Sequence, residues 1–136
     1  MTLDDLKMCR TYANAIRSIE ESIERLRSEM ERTTQVLSLA PAHSGSKDKI
    51  AEQVRRMEEL EIARAREIAD MEAYIDRCRV WLSTIPEQQA LILSLRYIEG
   101  LEWEDIARVA HYSKGHCTKI HTAAKKRLED AQQCVT

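Results

Sequence analysis

The chain has 136 residues, room for one or two small domains, and a formal net charge of −2, so affinity for a polyanion must rest on local sorting of charge. It has no Phe, three Gly and two Pro, and 32% of its residues are charged, a composition that favours long helices over sheet. No apolar run approaches the ~20 residues of a bilayer-spanning helix, and the opening MTLDDLKMCRTY lacks the apolar stretch of a secretory signal, so neither a membrane nor an exported protein is expected.

Residues 3–83 read as two amphipathic helices. In the first, Tyr12, Ile16, Ile19, Ile23, Leu26, Met30, Thr33 and Leu37 recur at alternating steps of four and three, with only Thr33 polar. Such a repeat keeps a narrow apolar seam turned to one partner, the condition for a coiled coil. The stretch from Ala40 to Ser46 predicts a break, because Pro41 cannot continue a helix and Gly45 accepts positive φ. The second seam is Ile50, Val54, Met57, Glu61, Arg64, Ile68, Met71, Ile75, Cys78 and Leu82. Glu61 and Arg64 interrupt it, and Leu60 and Ala65 beside them predict a local shift of the buried face. Both runs are about 35 residues, roughly 50 Å of helix. Equal lengths around a short connection predict an antiparallel hairpin. Two helices bury only a thin seam, so a second copy or the C-terminal region is expected to cover the hairpin.

Residues 84–136 read as three short helices. Thr84 is expected to cap the first, with Glu87 reaching back and Pro86 in the opening turn. Leu91, Leu95 and Ile98 form its buried stripe, Ile92 lies beside them, and Gly100 ends it. Trp103, Ile106, Ala107 and Ala110 give a second helix. A turn follows at Ala110-His111-Tyr112, and Ser113 is a good N-cap for the third helix. There Cys117, Ile120, Ala124 and Leu128 share the inward face. At ~100° per residue the opposite face holds Gly115, Lys119, Thr122 and Lys126, flanked by Lys114, Thr118 and Lys125.

Charge is sorted along this region. Glu99 to Asp105 carries four acids and no base, whereas His111 to Leu128 carries five bases and no acid. A helix-turn-helix reader of duplex DNA has this form. Lys114, Gly115, Thr118 and Lys119 would meet base edges at the start of the third helix. His116, Thr122 and His121 would lie near the DNA, with Lys125, Lys126 and Arg127 near phosphates. The plainer alternative is a three-helix bundle whose lysines only solubilise it; the sorting of charge favours DNA.

The segment LRYIEGLEWEDIARVAHYSKGHCTKIHTAAKKRL resembles region 4 of bacterial sigma factors. The matching pieces are Pro86-Glu87, Leu95-Arg96-Tyr97, Glu104-Asp105-Ile106-Ala107, Ser113, Ile120, Ala124 and Leu128. With the preceding hairpin, the whole chain is similar to phage-encoded late-transcription regulators of the ArpU/RinA type, in which a helical N-terminal half precedes a sigma-like helix-turn-helix. The resemblance implies regulation of phage or prophage transcription, with RNA polymerase as a further partner. The chain departs from the region 4 pattern at its turn, where His111 replaces the usual Gly. It departs again where Lys114, Gly115, Thr118 and Lys119 stand in place of Arg, Glu, Arg and Gln. Loss of the bidentate Arg and of the carboxylate implies an operator other than the −35 consensus.

Other signals point to no further chemistry. Cys9, Cys78, Cys117 and Cys134 are scattered, so reduced thiols in a cytoplasmic protein are expected. Cys117 and His121 are four apart, a workable metal pair, but Cys117 takes an inward position and no second pair is spaced for a metal. No cofactor and no metal are expected. With no Gly-rich phosphate loop, no GxSxG and no paired His/carboxylate pattern, neither is an enzyme. Trp103 reads as core.

The expectation is an all-α protein: a long antiparallel, coiled-coil-like hairpin over residues 1–83, then a three-helix helix-turn-helix domain over 84–136. It would bind double-stranded DNA sequence-specifically and regulate transcription as a homodimer through the hairpin, since one small helix-turn-helix rarely supplies enough affinity. Two rivals remain. A phage small terminase subunit binding packaging DNA would form a ring of many subunits. An adaptor that binds RNA polymerase or another protein through its coiled coil, without DNA contact, would fail to bind duplex even at low salt.

Overall fold

A computed structural model describes residues 1–39 and 44–134, and every regular element among them is helical. Helix α1 spans Leu3–Leu39 and α2 spans Ser44–Leu82. Helix α3, Glu87–Leu93, runs directly into a π-helical turn over Ser94–Ile98; α4 is Trp103–Ala110 and α5 is Lys114–Cys134. The fold is therefore all-α, with two long helices ahead of a three-helix helix-turn-helix. The break read between Ala40 and Ser46 is shorter on its far side, because α2 already begins at Ser44; residues 40–43 lie outside the described residues. No helix among the described residues is long and apolar enough to cross a membrane.

The first turn of α1 explains its start. The Thr2 hydroxyl accepts the Asp5 amide at 3.2 Å, while the Asp5 carboxylate accepts the Thr2 amide at 2.7 Å, a reciprocal cap that satisfies two amides left over at the helix end.

The chain divides into two compact units, one of residues 13–70 and one of residues 1–12 with 71–136. In the first, α1 and α2 run antiparallel. Ile16, Ile23, Leu26 and Thr33 of the predicted α1 seam are buried. On α2 the predicted seam position Val54 is replaced by its neighbour: Gln53 is 4% exposed and Val54 is 42% exposed. The reason is a hydrogen bond. Gln53 Nε2 donates to Thr33 Oγ1 at 3.0 Å, and Thr33 donates to the Glu29 carbonyl at 3.0 Å. A buried polar group is costly only when it is unpartnered. Sliding α2 by one turn would strand the Gln53 amide, so the pair holds the register, as single polar residues do in coiled-coil seams.

In the second unit, the start of α1 and the end of α2 pack with α3 and α5. Leu6, Cys9, Cys78, Leu82, Leu93 and Ala124 form one buried cluster. The Tyr74 hydroxyl donates to the Asp5 carbonyl, and its ring lies 5.5 Å from that of Tyr12. Cys9 and Cys78 bring their Sγ atoms to 3.9 Å. Burial raises both thiols, Cys78 to about 12, so neither is a thiolate at neutral pH. A second cluster, Ile92, Ile106, Cys117 and Ile120, joins α3, α4 and α5.

Helix α3 lies between these clusters, and this corrects the stripe read from sequence. Adjacent residues Ile92 and Leu93 are both fully buried, one in each cluster, whereas Leu91 is 41% exposed. The π-helical turn contributes: the Glu99 amide reaches back five residues to the Ser94 carbonyl at 3.0 Å, and the wider turn sends half-buried Leu95 and Ile98 to different clusters. Thr84 does not cap α3. Its hydroxyl donates to the Trp81 carbonyl at 2.6 Å and closes α2, while Pro86, φ −53°, sits at the N-cap position with no side-chain bond.

Candidate nucleic-acid interface

The reversal from α4 to α5 rests on His111. It takes the left-handed conformation, φ 61° and ψ 35°, at the position read as the turn. A non-glycine residue there costs roughly 1–2 kcal/mol, though His is among the residues found there more often than most. The Tyr112 amide bonds back to the Ala107 carbonyl at 3.2 Å. The Tyr112 hydroxyl accepts from Gln88 Nε2 at 2.8 Å, so α3 pins the turn. Ser113 caps α5 as read: its Oγ accepts the His116 amide at 3.1 Å. Cys117, Ile120, Ala124 and Leu128 are all buried on the inward face.

That packing leaves the opposite side open. Lys114, Gly115, His116, Lys119, Thr122, Lys125, Lys126 and Arg127 are exposed, and Thr118 is half-buried. The Lys114 ammonium lies 3.6 Å from the Glu104 carboxylate on α4, so it carries an intramolecular partner. His116 stands edge-on to Tyr112 with ring centroids 4.8 Å apart. Thr118 donates to the Gly115 carbonyl and Thr122 to the Thr118 carbonyl, each at 2.9 Å. With both hydroxyl protons used inside the helix, what these threonines offer outward is acceptor lone pairs. A Cβ on Gly115 would meet nothing within 4 Å, so no internal contact requires glycine there. Its absent side chain lets an external group approach the first turn of α5 closely.

His121 is not on this surface, contrary to the sequence expectation. It is half-buried, shares a 2.7 Å hydrogen bond between Nε2 and the Tyr97 hydroxyl, and meets the Trp103 ring edge-on at 5.2 Å. Burial is the main reason its imidazole titrates below the ordinary 6.5, with Arg96, Lys125 and Lys7 adding to the effect. A histidine kept neutral in the fold binds fewer protons than the unfolded chain below about pH 6.5. Stability is therefore intact above that value and falls as the pH drops from it toward the folded-state value. Denaturant titrations across this window should show a smaller acid loss for His121→Gln than for the wild-type protein; identical slopes would remove His121 as the cause.

Arg96, read from sequence only as part of the Leu95-Arg96-Tyr97 match, and Arg10, given no role there, hold the segment before α4. The Arg96 guanidinium donates to the Leu101 carbonyl at 3.0 Å, lies 4.9 Å from the Trp103 ring centroid, and sits 3.6 Å from Glu102. Arg10 donates to the Gly100 carbonyl at 3.2 Å. Gly100, φ 71°, ends the π-helical turn in a conformation that favours glycine, and a Cβ there would press on the Arg10 guanidinium at 3.3 Å. Among the described residues, no three His, Cys, Asp or Glu side chains are grouped to hold a metal.

Residues 81–130 match the family model of sigma-70, region 4, a DNA-binding helix-turn-helix. The matched span covers the end of α2 and the whole arrangement from α3 through most of α5. No curated protein and no solved structure matches the chain.

Proposed function

We propose that this chain is a sequence-specific binder of double-stranded DNA that regulates transcription of phage or prophage genes as a homodimer through its helical hairpin. The observation that carries the reading is the outer face of α5. It offers lysines, threonine acceptors and a bare glycine, with no acid from His111 to Leu128, directly after a capped turn. An α-helix fits the major groove, and its first turns reach base edges while later turns lie beside phosphates.

Lys114, Gly115, Thr118 and Lys119 meet bases in this reading, with His116 and Thr122 beside them. Lys125, Lys126 and Arg127 neutralise phosphates. The carboxylate of Glu104 holds Lys114 until DNA replaces it. Two copies read half-sites about one helical turn, or a multiple of it, apart. RNA polymerase is a second partner, in keeping with the likeness of residues 81–130 to a sigma region.

Selection of bound sequences from a random duplex library, followed by gel shifts over a salt series, tests this. A recurrent motif is expected, and affinity falls with salt by a slope of about −0.9 for each phosphate neutralised. No duplex binding at low salt overturns the reading.

A further inference from the structure

A homodimer through the hairpin needs an uncovered face. Helix α2 carries a second apolar stripe that the fold does not use. Ala51, Val54, Ile62, Ala65 and Ala69 lie on the side opposite Gln53 and Leu60, and all five are exposed, Ile62 to 54%. The stripe repeats every eleven residues: Ala51 with Ile62, Val54 with Ala65, Glu58 with Ala69. An eleven-residue period of about 3.67 per turn lies close to the helix's own period, so the stripe runs nearly straight along α2.

One unlike pair flanks its middle: Glu61 precedes Ile62 on one border, and Arg66 follows Ala65 on the other, where Glu59 and Asp70 lie further out. Neither Glu61 nor Arg66 makes an ion pair among the described residues, whereas nearby Arg55 is held by Glu52 at 2.5 Å. When two such helices lie parallel across a two-fold axis, the border before the stripe in one meets the border after it in the other. Glu61 then faces Arg66 of the second copy, twice. In an antiparallel pair like borders meet, setting acid beside acid and base beside base. The sequence repeats the same charge pair eleven residues on, as Glu72 and Arg77.

We propose that a second copy of this chain docks on this face, α2 against α2, in parallel orientation, with Glu61–Arg66 pairs setting the direction; the assignment rests on the homodimeric reading of the hairpin. Parallel pairing points both copies the same way along a two-fold axis, a closed symmetry that palindromic half-sites match. Glu58, the acid within the stripe, meets its own copy across the axis and keeps the dimer weak.

Sedimentation of the full chain reads the association, and circular dichroism confirms that each variant stays helical. Ile62→Glu is expected to weaken the dimer on the order of a hundredfold, since it removes two buried side chains and faces two charges. Glu58→Ala tightens the dimer. Glu61→Lys and Arg66→Glu each weaken it, and the double variant restores it. In a Cys134→Ser background, Ala51→Cys and Ala69→Cys should each form a covalent dimer on mild oxidation. A dimer untouched by Ile62→Glu overturns the face, and cross-links appearing only when the two cysteine variants are mixed overturn the parallel direction. A chain that binds duplex yet stays monomeric overturns this inference and leaves DNA binding standing. A chain that dimerises through Ile62 but binds no duplex does the reverse.

Discussion

Leu6→Ala should cost about 2–5 kcal/mol of stability in the unit that carries α5. Leu6 is fully buried in the cluster that also holds Leu93 and Ala124, far along the chain from it. Truncation removes apolar contacts and leaves a cavity whose walls belong to α1, α2, α3 and α5, and four helices cannot all close on it at once. Losses of this size are a large share of the roughly 5–15 kcal/mol that holds a typical domain folded. Leu39→Ala serves as the control, since Leu39 is 87% exposed on the same helix and should change stability by less than about 0.5 kcal/mol. Denaturant unfolding followed by circular dichroism gives both values. If Leu6→Ala behaves like the control, the first turns of α1 are not part of the cooperative unit around α5.

Lys119→Ala and Lys126→Ala should separate cleanly in gel shifts. Lys119 is exposed on the first turns of α5 and has no ion-pair partner among the described residues. A base contact contributes about 1–3 kcal/mol of discrimination, roughly 5- to 150-fold in affinity for each protomer. Lys119→Ala should therefore lose that factor on the selected sequence and little on random duplex, flattening preference at one position. Lys126 lies two turns further on, where phosphates are met. Lys126→Ala should weaken all sequences about equally and reduce the salt slope by about one for each protomer. Equal effects from the two variants would show that the division of α5 into base-reading and phosphate-binding turns is wrong.

Much of the fold was legible because periodicity and end signals are local. The α1 seam, the inward stripe of α5 from Cys117 to Leu128, the Ser113 cap, the turn at His111 and the Gly100 stop all follow from residues within one or two turns of each other. The misplaced features share another cause. Val54 gave way to Gln53 because burial followed a partner twenty residues away, Thr33. Leu91 gave way to Leu93 because α3 is packed on two sides, which a one-faced stripe cannot represent. Thr84 had a nearer acceptor in the Trp81 carbonyl than the start of α3.

The same contrast holds at the candidate interface. Sequence placed Lys114, Gly115, His116, Lys119, Thr122, Lys125, Lys126 and Arg127 on the outer side of one helix, because the projection of a regular helix is determined by spacing alone. It put His121 there too, and the structure removes it. His121 lies at the edge of the projected face, where two neighbouring aromatic rings, Tyr97 and Trp103, decide its side.

Composition, spacing and caps thus determined by themselves that the chain is helical, where most of its helices begin and end, and which side of α5 is inward. Tertiary structure decided which ends of the long helices share a core with α5, which polar residues are buried, and which charges are already paired. Those outcomes depend on contacts between residues tens of positions apart. A helix's own period sets which way a side chain points, but only the neighbour brought there by the fold sets what it meets.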